Sequence, residues 1–419
     1  MNILQKKSKR PHVVIVGAGF GGLKTAQLLA KHPIDITIID KNNYHLFQPL
    51  LYQISTAGLS VDDIAHPIRS IFCEKPNVDF HMAEVKQIDM DKKIIMTDYT
   101  AIDYDYLVLA AGGQNNFFGM ESISKNTMGM KTLVEAVNIR NHILSRFELA
   151  AHEKDEEKRR ALLKFVIVGG GPTGVEEAGA LSELVYFVLN KEYHTLNFEE
   201  VKIILVEATD KVLPTMPEKL RTATINTLIK KNIEVRLCEA VVDYDGRELI
   251  FKSGEKMATR TVIWAAGVKA VSLVDRLGCE QDRAGRAIVD EYLQLPNKKD
   301  VFAVGDMANF MQDGAPLAMI APVAMQQADI AAENVLALIK NKPLKKFRYK
   351  SVGAMATIGR NDAVVSMGSY TSEGLVAWLM WSVIHIWRLI DFRSRIVIFL
   401  KWIWYYIRYD RMARIITRN

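Results

Sequence analysis

The sequence predicts an α/β protein of two Rossmann-like dinucleotide-binding domains followed by a C-terminal amphipathic helical region. Two glycine fingerprints predict the domains: Gly17-Ala18-Gly19-Phe20-Gly21-Gly22 and Gly169-Gly170-Gly171-Pro172-Thr173-Gly174. Each stands between a short apolar run and a helical stretch, the context that makes such a fingerprint credible. An aromatic, basic last segment predicts the helical region. The 419 residues exceed one ordinary core and suit two or three domains. With 24% charged and 49% apolar residues, the chain is globular and not disordered.

Taken in order, residues 12–16 form a short apolar run that reads as a buried parallel strand. The first glycines follow at once, then a helix over 23–30 and a strand over 36–40 that ends in Asp40. Residues 78–111 read as a β-rich excursion whose last strand, 106–111, closes in Gly112. Residues 131–163 are helical in character. The second unit repeats the pattern with a strand at 164–168, the glycine turn, a helix over 175–189 and a strand over 201–207. Asp245-Gly246 between 234–244 and 248–251 is a hairpin signal. The strand 262–266 ends in Gly267, the strand 301–304 ends in Gly305-Asp306, and a helix follows over 322–339. Repeated βαβ units give an α/β class with parallel sheets.

The chemistry of each turn follows from its residue types. Gly17 permits the tight turn, Gly19 lets the backbone approach a pyrophosphate, and Gly22 lets helix and strand pack closely. The helix start offers free N–H groups and a partial positive charge to phosphates. Asp40 is placed to accept from a ribose. Gly169, Gly171, Gly174 and Glu207 repeat the set, and Gly112 and Gly267 close the neighbouring strand of each unit. A carboxylate at Glu207 accepts from a free 2′-hydroxyl and repels a 2′-phosphate, which favours NADH over NADPH.

The N-terminal βαβ unit with a late Gly305-Asp306 resembles the flavoproteins with two dinucleotide-binding domains. That resemblance puts non-covalent FAD in the first unit, with Asp306 on its ribityl chain, and NADH in the second as substrate. Many members carry a redox cysteine pair, but Cys73, Cys238 and Cys279 form no close pair, which argues against a disulfide centre and a metal site. Four stretches narrow the resemblance: Asn43-Tyr44-His45-Leu46-Phe47-Gln48-Pro49-Leu50-Leu51-Tyr52-Gln53, Asp63-Ile64-Ala65-His66-Pro67-Ile68-Arg69, Gly171-Pro172-Thr173-Gly174-Val175-Glu176, and the tail around Asp391-Phe392-Arg393-Ser394-Arg395. Together they resemble type II, non-proton-pumping NADH:quinone oxidoreductases. The resemblance implies a quinone site at Ala324, Gln326 and Gln327, with Gln326 and Glu176 catalytic and Glu176 near the junction of nicotinamide and flavin. Where that family has Ala-Gln-x-Ala-x-Gln, this chain reads Ala321-Pro322-Val323-Ala324-Met325-Gln326; Pro322 is tolerated in a first helical turn but removes an amide. His45 and His385 stay outside the catalytic set, because a lone histidine is more often structural.

The tail holds eight Arg and Lys against three acids after residue 370, hence five of the six net positive charges, and five of the six Trp. Neither apolar stretch, 375–387 nor 396–407, reaches the ~20 residues that span a bilayer. On a helical wheel Ile398, Trp402, Tyr405, Tyr409, Met412 and Ile416 form one stripe, with Lys401, Arg408, Arg411, Arg414 and Arg418 on another side. That pattern fits a helix lying on an anionic membrane surface, and no nucleic-acid reading motif is present.

The expected organisation is an FAD-binding domain over 1–118 and 279–370, an NADH-binding domain over 119–278 and membrane-anchoring helices over 371–419. The expected reaction is hydride transfer from NADH to FAD, then reduction of a membrane quinone to quinol in a respiratory chain, without proton pumping. The expected location is the cytoplasmic face of a bacterial inner membrane, as a peripheral, monotopic protein; the resemblance also implies a homodimer. Two alternatives remain: sulfide:quinone oxidoreductase chemistry, which calls for paired cysteines, and a flavin-bearing sensor that is reduced once and stays reduced.

Overall fold

A computed structural model describes residues 3–4, 10–408, 411 and 413–417. The chain divides into two compact units: Met1–Leu46 with Ala65–Gln114 and Val268–Ser351, and Phe47–Ile64 with Asn115–Gly267 and Val352–Asn419. This division differs from the expected one in several places, including residues 115–118, which fall in the second unit, and 268–278, which fall in the first. Residues 47–64 and 352–370 belong to the second unit, and the tail does not stand apart. The cause is packing: the tail helix Gly374–Arg388 lies on the strand Asp362–Met367, and the short helix Leu51–Ser55 lies on Leu133–His152 and Pro172–Glu183.

The first unit is built on a six-stranded sheet in the order Gln294–Leu295, Lys298–Ala303, Tyr106–Leu109, His12–Val16, Asp35–Asp40, Val78–Met82. All its pairs are parallel except the one between Gln294–Leu295 and its neighbour. His12–Val16 is buried at every position, as a β-branched run needs when both sheet faces are covered. The helix Phe20–Leu29 packs against Ala321–Ile339, where Lys24 Nζ meets Asp329 Oδ2 at 2.6 Å.

The second unit repeats the design with a parallel sheet in the order Met128–Gly129, Thr261–Trp264, Lys164–Val168, Lys202–Val206, Ile233–Arg236. The run 234–244, expected as one strand, is two. Ile233–Arg236 joins the parallel sheet, Cys238 turns the chain with φ +58°, and Val241–Tyr244 pairs with Glu248–Phe251 in an antiparallel hairpin. The helix expected over 175–189 runs instead from Pro172 to Glu183 and continues as a π turn, Leu184–Val188.

The tail folds into two helices, Gly374–Arg388 and Phe392–Arg408. They turn a different face outward from the one the wheel suggested. Ile398 is buried, Trp402 and Tyr405 are half-buried, Ile416 is exposed, and Tyr409, Met412 and Arg418 lie outside the described residues. Lys401 and Arg411 point inward because each has an acid to meet: Asp63 at 2.7 Å and Glu183 at 3.1 Å. Arg414 pairs with Glu192 at 2.8 Å. The outward face is apolar instead, carrying Leu375, Val376, Leu379, Val383 and Trp387 on the first helix and Phe392, Phe399, Leu400, Ile403, Trp404 and Ile407 on the second. No helix among the described residues is long and apolar enough to cross a membrane.

Candidate active site: two nucleotide cradles and a carboxyl pair

In the first unit three turns converge at the carboxyl ends of the parallel strands, where open α/β sheets take their ligands. Gly17 N donates to Ile39 O, Ala110 N to Val16 O and Val304 N to Leu109 O, which ties the turns to adjacent strands. Gly17 has φ +101°, and a Cβ on Gly22 would overlap the Gly17 carbonyl. Gly19 and Gly112 have nothing within 4 Å of where a Cβ would stand. The helix beginning at Phe20 has no side-chain cap and no acid in its first turn, so its leading N–H groups are available to an anion. Asp40 accepts from Ala18 N at 2.7 Å and Asn42 N at 2.8 Å, and burial raises its pKa. The Gly305–Met307 turn brings Asp306 beside Gly113.

His45 has a local role in this cradle. Its Nδ1 donates to Ala18 O at 2.7 Å, its ring meets Phe20 edge-on at 5.3 Å, and burial lowers its pKa to about 4. It is therefore a neutral brace of the glycine turn.

The second unit builds the same cradle. Gly169 has φ +118°, a Cβ on Gly174 would overlap the Gly169 carbonyl, and Gly171 is open. The helix from Pro172 again has no side-chain cap. Glu207 Oε2 accepts from Gly170 N at 2.6 Å, the counterpart of Asp40 on Ala18, while Oε1 accepts from Thr209 N and Oγ1, both at 2.8 Å. Gly267 adopts φ +147° beside Phe118. In both cradles the strand-end acid holds the second residue of the glycine turn, and the open glycine faces outward. Backbone donors, a close-approach glycine and a ribose-length acid fit a dinucleotide in each.

Ala324, Gln326 and Gln327 lie at the start of the helix Ala321–Ile339 in the first unit. Gln327 is buried, and its Oε1 accepts from Gly305 N at 2.7 Å. Ala324 packs against Gly305 and Gly21. Gln326 places both amide atoms on one residue: Nε2 donates to Lys350 O at 2.8 Å and Oε1 accepts from Lys350 N at 3.0 Å. The structure thus gives Gln327 to the Gly305 turn and Gln326 to residue 350.

Glu176 is the fifth residue of its helix, so the first turn carries no acid and the residue lies beyond the turn where it would complement the dipole. Its Oε1 accepts from Thr357 N at 3.4 Å. Desolvation raises its pKa to about 8, opposed by Thr357 N–H and the nearby Trp381 indole. Its neighbour Glu177 is fully buried. Glu177 Oε2 accepts from Ser55 Oγ at 2.6 Å, and Oε1 has no hydrogen-bond partner among the described residues. Desolvation raises Glu177 to about 8 as well, opposed by Ser55 and the Arg411 charge. Two adjacent carboxyl groups are therefore held largely protonated near neutral pH.

Beside this pair lies a cavity walled by Tyr52, Trp378, Trp381, Trp402, Tyr405 and Tyr406, with Glu183, Arg360 and Arg411 at its polar side. Trp381 stacks on Trp402 at 5.5 Å and on His385 at 4.1 Å. His385 Nδ1 donates to Trp381 O, and burial lowers its pKa to about 4, so it too is neutral. Sequence reasoning missed Glu177, Ser55 and this cavity. One signal was present: Glu177 sits among Gly174, Ala178 and Leu181, on the apolar side of a helical repeat. Cys73, Cys238 and Cys279 are all free, and no cluster suited to a metal occurs among the described residues.

Comparison with known proteins matches this architecture. Residues 11–328 match the pyridine nucleotide-disulphide oxidoreductase family. The chain is 38% identical over 410 residues to the type II NADH:quinone oxidoreductase NdhA of Mycobacterium tuberculosis, covering 94% of this chain and 86% of that one. It is 36% identical to the Ndh protein of the same organism, covering 94% and 88%. The fold matches NDH2 of Plasmodium falciparum, solved in complex with NADH, with a TM-score of 0.89 at 21% identity over 98% of this chain and all of that one. It also matches a sulfide:quinone oxidoreductase of Aquifex aeolicus, with a TM-score of 0.73 at 20% identity over 92% and 91% of the two chains. The chain belongs to the pyridine nucleotide-disulphide oxidoreductase family and, within it, to the type II NADH:quinone oxidoreductases.

Proposed function

We propose that this enzyme oxidises NADH and reduces a membrane quinone to quinol in a respiratory chain, without moving protons across the membrane. The observation that carries the reading is the duplicated glycine cradle, each with an uncapped helix start and a strand-end acid, in a chain without a cysteine pair. A flavin, FAD by this reading, supplies the two-electron chemistry that joins a hydride donor to a quinone.

The residues do the rest. Gly17, Gly19, Gly22, Asp40, Gly112, Gly305 and Asp306 bind and orient the flavin nucleotide. Gly169, Gly171, Gly174, Glu207 and Gly267 bind NADH, and Glu207 rejects a 2′-phosphate. The half-buried Glu176 holds a proton near neutral pH, a useful state for a general acid. For Gln326 to touch a quinone it must first leave the backbone of Lys350; Gln327 and Ala324 keep the Gly305 turn in shape. The outward apolar face of the tail helices seats the protein on the cytoplasmic surface of a bacterial inner membrane as a peripheral protein, and a homodimer belongs to the same reading. The sulfide alternative lacks its cysteine pair.

Anaerobic stopped-flow absorbance in lipid tests the proposal. NADH should bleach the flavin quickly, and a short-chain quinone should restore it quickly. Bleaching without restoration would overturn the quinone reading, and equal efficiency with NADPH would overturn the role of Glu207.

A further inference from the structure

Beyond the second tail helix, the Arg411 side chain reaches into the interior. One guanidinium nitrogen, Nη1, donates to Thr56 O at 2.7 Å and to Ala180 O at 3.0 Å, and Nη2 donates to Glu183 Oε2 at 3.1 Å. Arg411 thereby pins the segment Phe47–Ile64 to the helix Pro172–Glu183. Thr56 follows Ser55, whose hydroxyl sits on Glu177. Two further ties hold the same segment to the tail: Trp402 Nε1 donates to Gln53 Oε1 at 3.0 Å, and Lys401 Nζ donates to Asp63 at 2.7 Å.

We propose that Arg411 is a positioning residue for the quinone half of the reaction. By holding Thr56 on the helix it keeps Ser55 on the Glu177 carboxyl, so Arg411 contributes to the reaction site from beyond the second tail helix. This rests on the function proposed above.

Two features assign Arg411 to the quinone half. It reaches the last turn of the helix, roughly 16 Å along the axis from the glycine turn that would take NADH. It also lines the aromatic cavity together with Tyr52 and Thr56, and such a mostly apolar cavity with few polar groups suits an apolar ring. Arg411 is the charged group that acts on Glu177. The other titratable groups on the packed segments are Tyr52, Asp62 and Asp63 on Phe47–Ile64, with Asp63 paired to Lys401, and Glu176 and Glu183 on the helix of Glu177. Glu183 is itself paired with Lys231 at 3.5 Å, and Lys231 with Asp362 at 3.2 Å.

The test uses the full-length protein in vesicles, with flavin reduction by NADH and reoxidation by a short-chain quinone followed separately across pH. Arg411→Gln should leave reduction unchanged, slow reoxidation about tenfold and move the pH midpoint of reoxidation upward, because the cation no longer favours the Glu177 carboxylate. Arg411→Lys should restore most of the rate. Ser55→Ala leaves the tail intact and should give the same upward movement, which keeps the inference testable if Arg411→Gln folds poorly. Unchanged reoxidation in both variants, a slowing with no movement of the midpoint, or equal slowing of both halves would overturn it. If the unmodified protein fails to bleach with NADH or to recover with quinone, the proposed function fails and this inference falls with it; if the unmodified protein turns over and the variants match it, the inference alone fails.

Discussion

Ser55 Oγ donates to Glu177 Oε2 at 2.6 Å, across 122 residues of sequence, while the other carboxyl oxygen of Glu177 has no hydrogen-bond partner among the described residues. Desolvation of an ionised carboxylate in that position outweighs the help of Ser55 and the Arg411 charge, which is why burial raises its pKa to about 8.

The sign of the pH effect follows. The folded pKa, about 8, lies above the ordinary 4.5, so the protonated form stabilises the fold at low pH. That contribution is lost as pH rises from about 4.5 through about 8. Glu177→Gln stays neutral and should be more stable than the unmodified protein at pH 9, with little difference at pH 5. Thermal unfolding at the two pH values measures this; an equal shift at both would contradict it.

The glycines of the first cradle should separate folding from cofactor binding. A Cβ on Gly22 would overlap the Gly17 carbonyl, whereas a Cβ on Gly19 meets nothing within 4 Å. Gly22→Ala should lower stability by about 2 kcal/mol or more. Gly19→Ala should unfold normally and lose most of its flavin. Flavin absorbance per protein, read beside an unfolding curve, distinguishes them.

Lys401 compensates a buried acid. Asp63 is 2% exposed in its side chain and Lys401 25%. Lys401→Met should cost about 3–5 kcal/mol by leaving Asp63 unpaired, and the double variant with Asp63→Asn should recover most of it. Urea unfolding of the two variants is the measurement, and a double variant no better than the single one would refute the pairing argument.

The outward tail face should control lipid attachment. Ile403→Asp with Leu400→Asp replaces two exposed apolar side chains and should weaken cosedimentation with anionic vesicles by about tenfold or more. Flavin reduction by NADH should not change. Vesicle binding as strong as that of the unmodified protein would remove this face from the membrane proposal.

Local chemistry made much of the molecule legible in the sequence. A β-branched run, a glycine turn, a helix and a terminal acid are neighbours in the chain, so both cradles, with Asp40 and Glu207, could be read in order. The tail's two helices and their failure to span a bilayer were equally local. What the sequence by itself determined was the pair of βαβ units with their glycine turns and strand-end acids, and the amphipathic character of the tail. Which tail face turns outward was decided by tertiary structure, because Asp63 and Glu183 draw Lys401 and Arg411 inward from 338 and 228 residues away. The hydrogen bonds that engage Gln326 and Gln327 come from Lys350 and Gly305, and the desolvation that raises the pKa of Glu176 and Glu177 comes from segments distant in sequence. Hydrogen-bond partners and desolvation depend on what the folded chain brings within a few ångströms, and no local pattern encodes that.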